Sequence, residues 1–288
     1  MLPHMIGRNH WSWYPRTLRA QLVLLVLTTL VPFVLFPAAV ILLYAQQERQ
    51  TAERGMRETV RALALAVDRE VEEVTTGLRV LALSRVLAAD DLEGFYPQCL
   101  DALRFLPPGA WIVLSDVHGQ QLLNTHVPFG TPLPMTPDME GLRRVVDSGR
   151  PSVSDLIIGP VAKRPMITID VPVFRVGQVR YVLHAALPAE TLGRILVEQR
   201  LPAGWLGGIN DRKQIILATT PGLERFIGEP VTPRMAERSR VAEEGWFPNI
   251  AKDGTPVYSV FSRARSTGWT VVLNAPASLI DGPLRRSL

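Results

Sequence analysis

One phrase occurs twice in this chain, and the repetition restricts the fold more than any other feature. "GAWIVLSDVHGQQLLNT" runs from Gly109 to Thr125, and "AGWLGGINDRKQIILATT" runs from Ala203 to Thr220. Each holds a tryptophan, a short apolar run, a turn containing aspartate, a second apolar run and a closing threonine. Trp111 to Ser115 and Gln121 to Thr125 have the length and content of strands, and Asp116-Val117-His118-Gly119 between them supplies turn chemistry. The second phrase predicts the same hairpin around Asn210-Asp211-Arg212-Lys213. The copies also close alike. "RPMITIDVPVFRVGQVRYVLHAALPAETL" (Arg164 to Leu192) predicts two strands around a Val176-Gly177 turn, then a helix-like segment. "GTPVYSVFSRARSTGWTVVLNAPASLI" (Gly254 to Ile280) does the same. Each copy carries an insert between its hairpins, "MEGLRRVVDSG" (Met139 to Gly149) in the first and "RMAERSRVAEEG" (Arg234 to Gly245) in the second. Hairpin, insert and hairpin, twice over, predict an α+β fold with two mixed, mainly antiparallel sheets and helices on one face.

Upstream of the repeats no charged residue occurs from Ala20 to Gln47. The core of this stretch, Leu22 to Tyr44, is 23 residues long. At about 1.5 Å per residue a helix of that length crosses a hydrocarbon layer of about 30 Å. Pro32 and Pro37 are tolerated in such a span, because freed backbone groups find local partners. Arg8, Arg16 and Arg19 precede the stretch and Glu48 follows it. The excess of arginine places the N-terminus in the cytoplasm and exports the rest. A cleaved signal peptide fits less well, since its apolar region is normally about 7–15 residues. The expected organisation is a cytoplasmic tail (1–19), a transmembrane helix (20–45) and a long periplasmic helix (46–90).

That long helix is read from a stripe. Met56, Val60, Leu63, Val67, Val71, Val74, Leu78 and Leu81 recur at gaps of three or four, with charges on the other faces. A helix from Gln46 to about Ala88 packs this stripe on its own domain, while its membrane-proximal part forms a parallel homodimer.

Composition removes several functions. The single cysteine, Cys99, excludes an intrachain disulfide and a cysteine-rich metal site. It reads as a small buried hydrophobe, with an intermolecular bridge as the alternative. The net charge of +4 is dispersed among acids, with no basic and aromatic run for nucleic acid. The five histidines (His4, His10, His118, His126, His184) form no pair at metal-ligand spacing. No nucleophile elbow, phosphate loop or dinucleotide fingerprint occurs, so no catalytic residue and no cofactor is expected.

An anchor, a long exported helix, two tandem sheets and a closing helix together resemble the double Cache extracellular sensor. This tandem PAS-like module is found in bacterial histidine kinases, chemoreceptors and diguanylate cyclases. "LRAQLVLLVLTTLVPFVLF", "ETVRALALAVDREVEE" and "LLNTHVPFGTPLP" most resemble the input regions of sensor histidine kinases. The resemblance implies a membrane-distal subdomain at 91–195 that binds a ligand and a membrane-proximal subdomain at 196–276. It also implies a closing helix at 277–288 that leads to a second span. The expected function is the extracytoplasmic input of a two-component sensor histidine kinase in the bacterial inner membrane. The alternatives are the sensor of a chemoreceptor or diguanylate cyclase, or an anchored binding or scaffolding protein without output. Any kinase activity would belong to an output domain, for which this sequence carries no motif.

The resemblance also places a ligand on the distal sheet. Strand alternation sends Ile167, Ile169 and Val171 to one face and Thr168 and Asp170 to the other. His184 lies in the partner strand, Asn124 late in the first hairpin, and Lys163 and Arg164 in the adjoining loop. Asn124, Thr168, Asp170 and His184 within a pocket rimmed by Lys163 and Arg164 suit a small carboxylate or polar metabolite, since guanidinium pairs bidentately with carboxylate. Amino-acid-binding members of the family carry an Arg-x-Trp-Tyr run before this strand and an aspartate near the end of the last one. Here "KRPMIT" and Ala186 occupy those places, which favours an organic acid over a free amino acid. Gly207-Gly208 makes the second copy read as a coupling module.

Overall fold

A computed structural model describes residues 18–286. The expectations placed on 1–17, including Arg8 and Arg16, lie outside the described residues. Helix α1 (Leu18–Ala82) runs for 65 residues without a break, roughly 100 Å at the standard rise. Its backbone stays helical through Pro32 and Pro37. The described large apolar side chains between Leu22 and Leu43 are exposed, Phe33 to 78%. Among the described residues no helix is long and apolar enough to cross a membrane.

The apolar stripe is the spine of the molecule. Met56, Val60, Leu63, Val67, Val71, Val74 and Leu78 are all buried, and Leu81 is partly buried against the same cluster. The helix ends before the expected Ala88. Ser84 Oγ accepts from the backbone N–H groups of Val86 and Leu87, starting a separate turn, α2 (Arg85–Ala88). The same hydroxyl donates to Gln98 Oε1 at 2.6 Å in α3 (Leu92–Ala102). A serine that satisfies free helix donors favours a restart over a continuous helix.

Two sheets follow. The first contains β1 (Trp111–Asp116), β2 (Gln121–Asn124), β3 (Ser152–Val153), β4 (Ile157–Ile158), β5 (Pro165–Arg175) and β6 (Gln178–Pro188). Its order is β2-β1-β6-β5-β3, with β4 also paired to β5. The second contains β7 (Leu206–Asn210), β8 (Ile216–Thr219), β9 (Glu244–Ile250), β10 (Pro256–Arg263) and β11 (Thr270–Pro276), in the order β8-β7-β11-β10-β9. The two orders are equivalent strand for strand. Even the irregularity repeats, because the opening hairpins shift register between Leu114 and Ser115 and between Ile209 and Asn210. The duplicated phrase is therefore a duplicated structural unit.

Three details differ from the sequence reading. Every strand pairing among the described residues is antiparallel, so neither sheet is mixed. Strands β3, β4 and β9 were not expected. The first two hold two residues each, too short for a periodic signal, and β9 contains a glycine and a proline. Helices also cover both faces instead of one. α1 packs against Ile167, Ile169, Val171, Val260, Val271 and Leu273 in one continuous core that runs under both sheets. On the opposite face α4 (Met139–Ser148) packs Leu142 and Val145 against Val182, and α6 (Pro233–Val241) packs Met235 against Phe247 and Val272. A short helix, α5 (Gly193–Glu198), joins the units, and α7 (Ala277–Arg286) closes the chain.

Cys99 is fully buried. Burial pushes its thiol up to about 12, so it is a small core residue and not a surface thiol for an intermolecular bridge.

Candidate ligand-binding site

The candidate site lies on the face of the first sheet opposite α1. Alternation along β5 sorts the side chains as expected. Ile167, Ile169 and Val171 join the core under α1, while Thr168 and Asp170 face the other way. The register places Asp170 and Val113 on either side of His184, and Thr168 beside Ala186.

Three buried polar groups form a chain across these strands. His184 Nδ1 lies 2.8 Å from Asp170 Oδ1, and its Nε2 lies 2.8 Å from Ser115 Oγ. All three residues are at most 4% exposed. Buried polar groups are stable only when partnered, and each partner here comes from a different strand. Asp170 thus orients the imidazole and does not pair with Arg180, whose guanidinium lies over the Tyr181 ring. The order Ser–His–Asp matches that of a nucleophilic triad. Ser115, however, is fully buried and does not line the cavity, so in this arrangement its hydroxyl serves as a partner of the ring. The chain fixes the sheet floor and presents one side of the His184 ring to the cavity.

Above this floor is a small cavity of about 20 Å³, room for about one or two waters by that measure. Trp111, Val113, Asn124, Thr168 and His184 form its floor and walls, and the loop 157–164 forms its lid, with Gly159 to Ala162 over the cavity. The lid is a tight loop. β4 pairs Ile157 with Met166, Gly159 N donates to Arg164 O, and Lys163 N donates to Gly159 O. Asn124 uses its carboxamide locally, since Oδ1 accepts from His126 N at 2.9 Å and Nδ2 donates to Gln121 at 3.0 Å. Arg164 lies over the Trp111 ring, 5.4 Å from its centroid, and its Nε is buried without a partner. Lys163 is exposed, with φ of 54°, and does not line the cavity.

The structure therefore gathers Asn124, Thr168 and His184 at the cavity, with Asp170 behind the histidine, Arg164 beside Trp111 and Lys163 outside. Sequence reasoning missed Ser115, Gln121 and Trp111. Strand alternation puts Trp111 and Ser115 on one face, but only the β1–β6 pairing brings that face to His184. Among the described residues no group of three or more His, Cys, Asp or Glu could hold a metal ion.

The base of the lid is tied to the second sheet. Leu156 N donates to Asp211 Oδ2 at 3.1 Å, and Ile215 N donates to Asp211 Oδ1 at 2.8 Å. Burial raises the Asp211 carboxyl above the ordinary aspartate range, opposed by these backbone donors. The adjacent Arg212 bonds Asp155 Oδ1 and the Val153 carbonyl, each at 2.8 Å.

No protein-family model and no curated protein matches the chain. Solved structures do. The extracellular domain of rpHK1S-Z16, a protein assigned as a histidine kinase, is 15% identical with a TM-score of 0.63, over 81% of this chain and 98% of that one. The ligand-binding domain of the Campylobacter jejuni chemoreceptor Tlp3, in complex with L-norvaline, is 13% identical with a TM-score of 0.61, over 83% and 96%. The ligand-binding domain of the Pseudomonas aeruginosa PAO1 amino acid chemoreceptor PctB, in complex with L-Gln, is 16% identical with a TM-score of 0.58, over 81% and 98%. At these identities the likeness establishes the fold: the long helix with two tandem antiparallel sheets is the architecture of extracellular sensor domains, as the double Cache resemblance led one to expect.

Proposed function

We propose that this chain is the extracytoplasmic input region of a membrane signalling protein, and that its first sheet binds a small carboxylate beneath the 157–164 lid. The observation that carries the ligand class is Arg164, which stands over the Trp111 ring at the rim, outside the cavity lining. Its Nε is buried and unpartnered, and among the described residues no salt bridge holds its guanidinium. A buried donor on a permanent cation is costly until an acceptor arrives. The cavity-lining residues include no Asp or Glu, and Asp170 is committed to His184. An α-ammonium group has no anion to meet there, so an organic acid fits better than the amino acids bound by Tlp3 and PctB.

A cavity of about 20 Å³ must enlarge to admit such a ligand. The lid is the part that can yield, and its base is bonded to Asp211 and Arg212. Lid movement would thereby reach the second sheet and α1. Signalling then requires only that the ligand prefer one of two packings.

The remaining assignments belong to the same proposal. The anchor at 20–45 is supported by a charge-free apolar run whose described large apolar side chains are exposed. Around it, 46–90 is the stalk, 91–195 the membrane-distal subdomain, 196–276 the membrane-proximal one and 277–288 the return toward the membrane. The homodimer belongs to the membrane-proximal part of α1, where Gly55 has open space around it. Kinase output is favoured over chemoreceptor output by the resemblance of the anchor and stalk sequence, since both kinds of protein share this fold.

The test is thermal stabilisation of the full chain in nanodiscs by a panel of small mono- and dicarboxylates. Stabilisation that is lost in Arg164→Ala and reduced in Thr168→Ala supports the proposal. Equal stabilisation in all three proteins contradicts it.

A further inference from the structure

The shared register allows the two sheets to be compared position by position. Gly208 pairs with Val272 as Val113 pairs with His184, and Ser259 pairs with Asn274 as Thr168 pairs with Ala186. Gly208 thus stands where the first sheet has Val113, and Asn210 where it has Ser115. Loss of the valine side chain opens the floor. The cavity between the second sheet and the segment above it is about 80 Å³, against about 20 Å³ in the first. At about 10–15 Å³ per water by that measure, it has room for roughly six non-hydrogen atoms.

Several of its polar groups lack a partner among the described residues. Asn210 lines the cavity, is only 3% exposed, and its carboxamide has no hydrogen-bond partner among the described residues. Thr219 Oγ1, also on the lining, is buried without a partner. Asn249 Nδ2 donates to Ser259 Oγ at 3.1 Å, and Ser259 Oγ donates to Asn274 Oδ1 at 2.5 Å. That relay leaves the Asn249 oxygen and the Asn274 amino group without a partner among the described residues, an acceptor and a donor on the same cavity. The charges at the mouth are already engaged: Lys252 bonds Glu229 at 2.8 Å and the Pro230 carbonyl at 3.0 Å, and Asp253 accepts from Thr255 N. Val272 and Met235 supply the apolar part of the wall.

We propose that this cavity is a second binding site, for a small uncharged molecule with a short apolar body and a primary amide end. An amide offers a carbonyl to the Asn274 amino group and an N–H to the Asn249 oxygen. A carboxylate would set its negative charge against the latter. The second sheet then adds an input of its own, and its Asn210 adjoins the Asp211 that holds the lid of the first.

The experiment uses butyramide, with butyrate as its charged isostere, on the full chain in nanodiscs, read by saturation-transfer NMR and titration. Butyramide should bind the parent protein and the first-sheet variant Thr168→Val equally. Binding should be weaker by roughly tenfold or more in Gly208→Val, which restores the first sheet's residue. An added Cβ at Gly208 meets only Ala218 O at 3.6 Å, an ordinary contact. Thermal melts confirm folding, and Gly208→Ala and Asn210→Leu serve if the valine variant is unstable. Absence of butyramide binding, binding unchanged in the cavity variants, or butyrate binding equally well overturns the proposal. Because Thr168→Val reports on the first sheet alone, the carboxylate site can fail without affecting this result.

Discussion

The carboxylate of Asp211, in the turn of the second opening hairpin, accepts the backbone N–H of Leu156, the residue before the first sheet's lid. Asp211 is 1% exposed, so the bond is made away from water. It joins the two sheets at the point where the first one opens.

Removing that acceptor leaves two donors, Leu156 N and Ile215 N, short of a partner. Asp211→Ala should destabilise the fold by about 1–3 kcal/mol. Hydrogen exchange at Leu156 should rise more than exchange in the β5–β6 core. Urea unfolding and amide exchange measure the two effects, and an unchanged Leu156 amide would disconnect the lid from Asp211.

The same carboxyl makes stability depend on pH. Its folded value lies above the ordinary one because burial penalises the charge. Between the unfolded and the folded value the native state therefore binds more protons, so this group's contribution falls as pH rises through that window. Comparison of melting temperatures across that range should show a shallower decline in Asp211→Asn than in the parent. A parallel decline in both would assign the effect elsewhere.

The His184 chain should respond to truncation at either end. Ser115→Ala and Asp170→Ala each strand a buried ring nitrogen and should cost about 1–3 kcal/mol. Because both act through one imidazole, their combined cost should depart from additivity in a double-mutant cycle. Strict additivity would mean the three groups do not act together.

The β5–β6 turn carries a local conflict. Val176 has φ of 48° and Gly177 φ of 79°, the signs of a two-residue turn that favours Asn-Gly. A β-branched side chain is unfavourable there, and Val176 is fully exposed. Val176→Asn should stabilise the protein by about 1 kcal/mol in urea unfolding. No gain would show that the turn is not strained.

Much of this architecture was legible because the core depends on two periods. A three-to-four spacing from Met56 to Leu78 marked the buried stripe of α1, and alternation from Ile167 to Val171 marked which side of β5 meets it. Strands β3 and β4 were not legible, since two residues define no period, and the break at Ser84 depends on a contact with Gln98 in another helix. The candidate site was half visible. Thr168, Asp170 and His184 are polar residues in apolar strands, an anomaly that a sequence displays. That His184 spends both ring nitrogens on Asp170 and Ser115 follows only from the pairing of β1 with β6. Gly207-Gly208 pointed to coupling, and that the second glycine also lines a cavity could not be read in advance, because it depends on the strand opposite.

The most direct test of the central claim is amide exchange of the lid, residues 157–164, in the full chain with and without the carboxylate that gives the greatest thermal stabilisation. The lid and the Leu156 amide should change protection together on ligand addition, and both changes should vanish in Arg164→Ala. A ligand that stabilises the protein while leaving lid exchange unaltered would contradict a site beneath that loop.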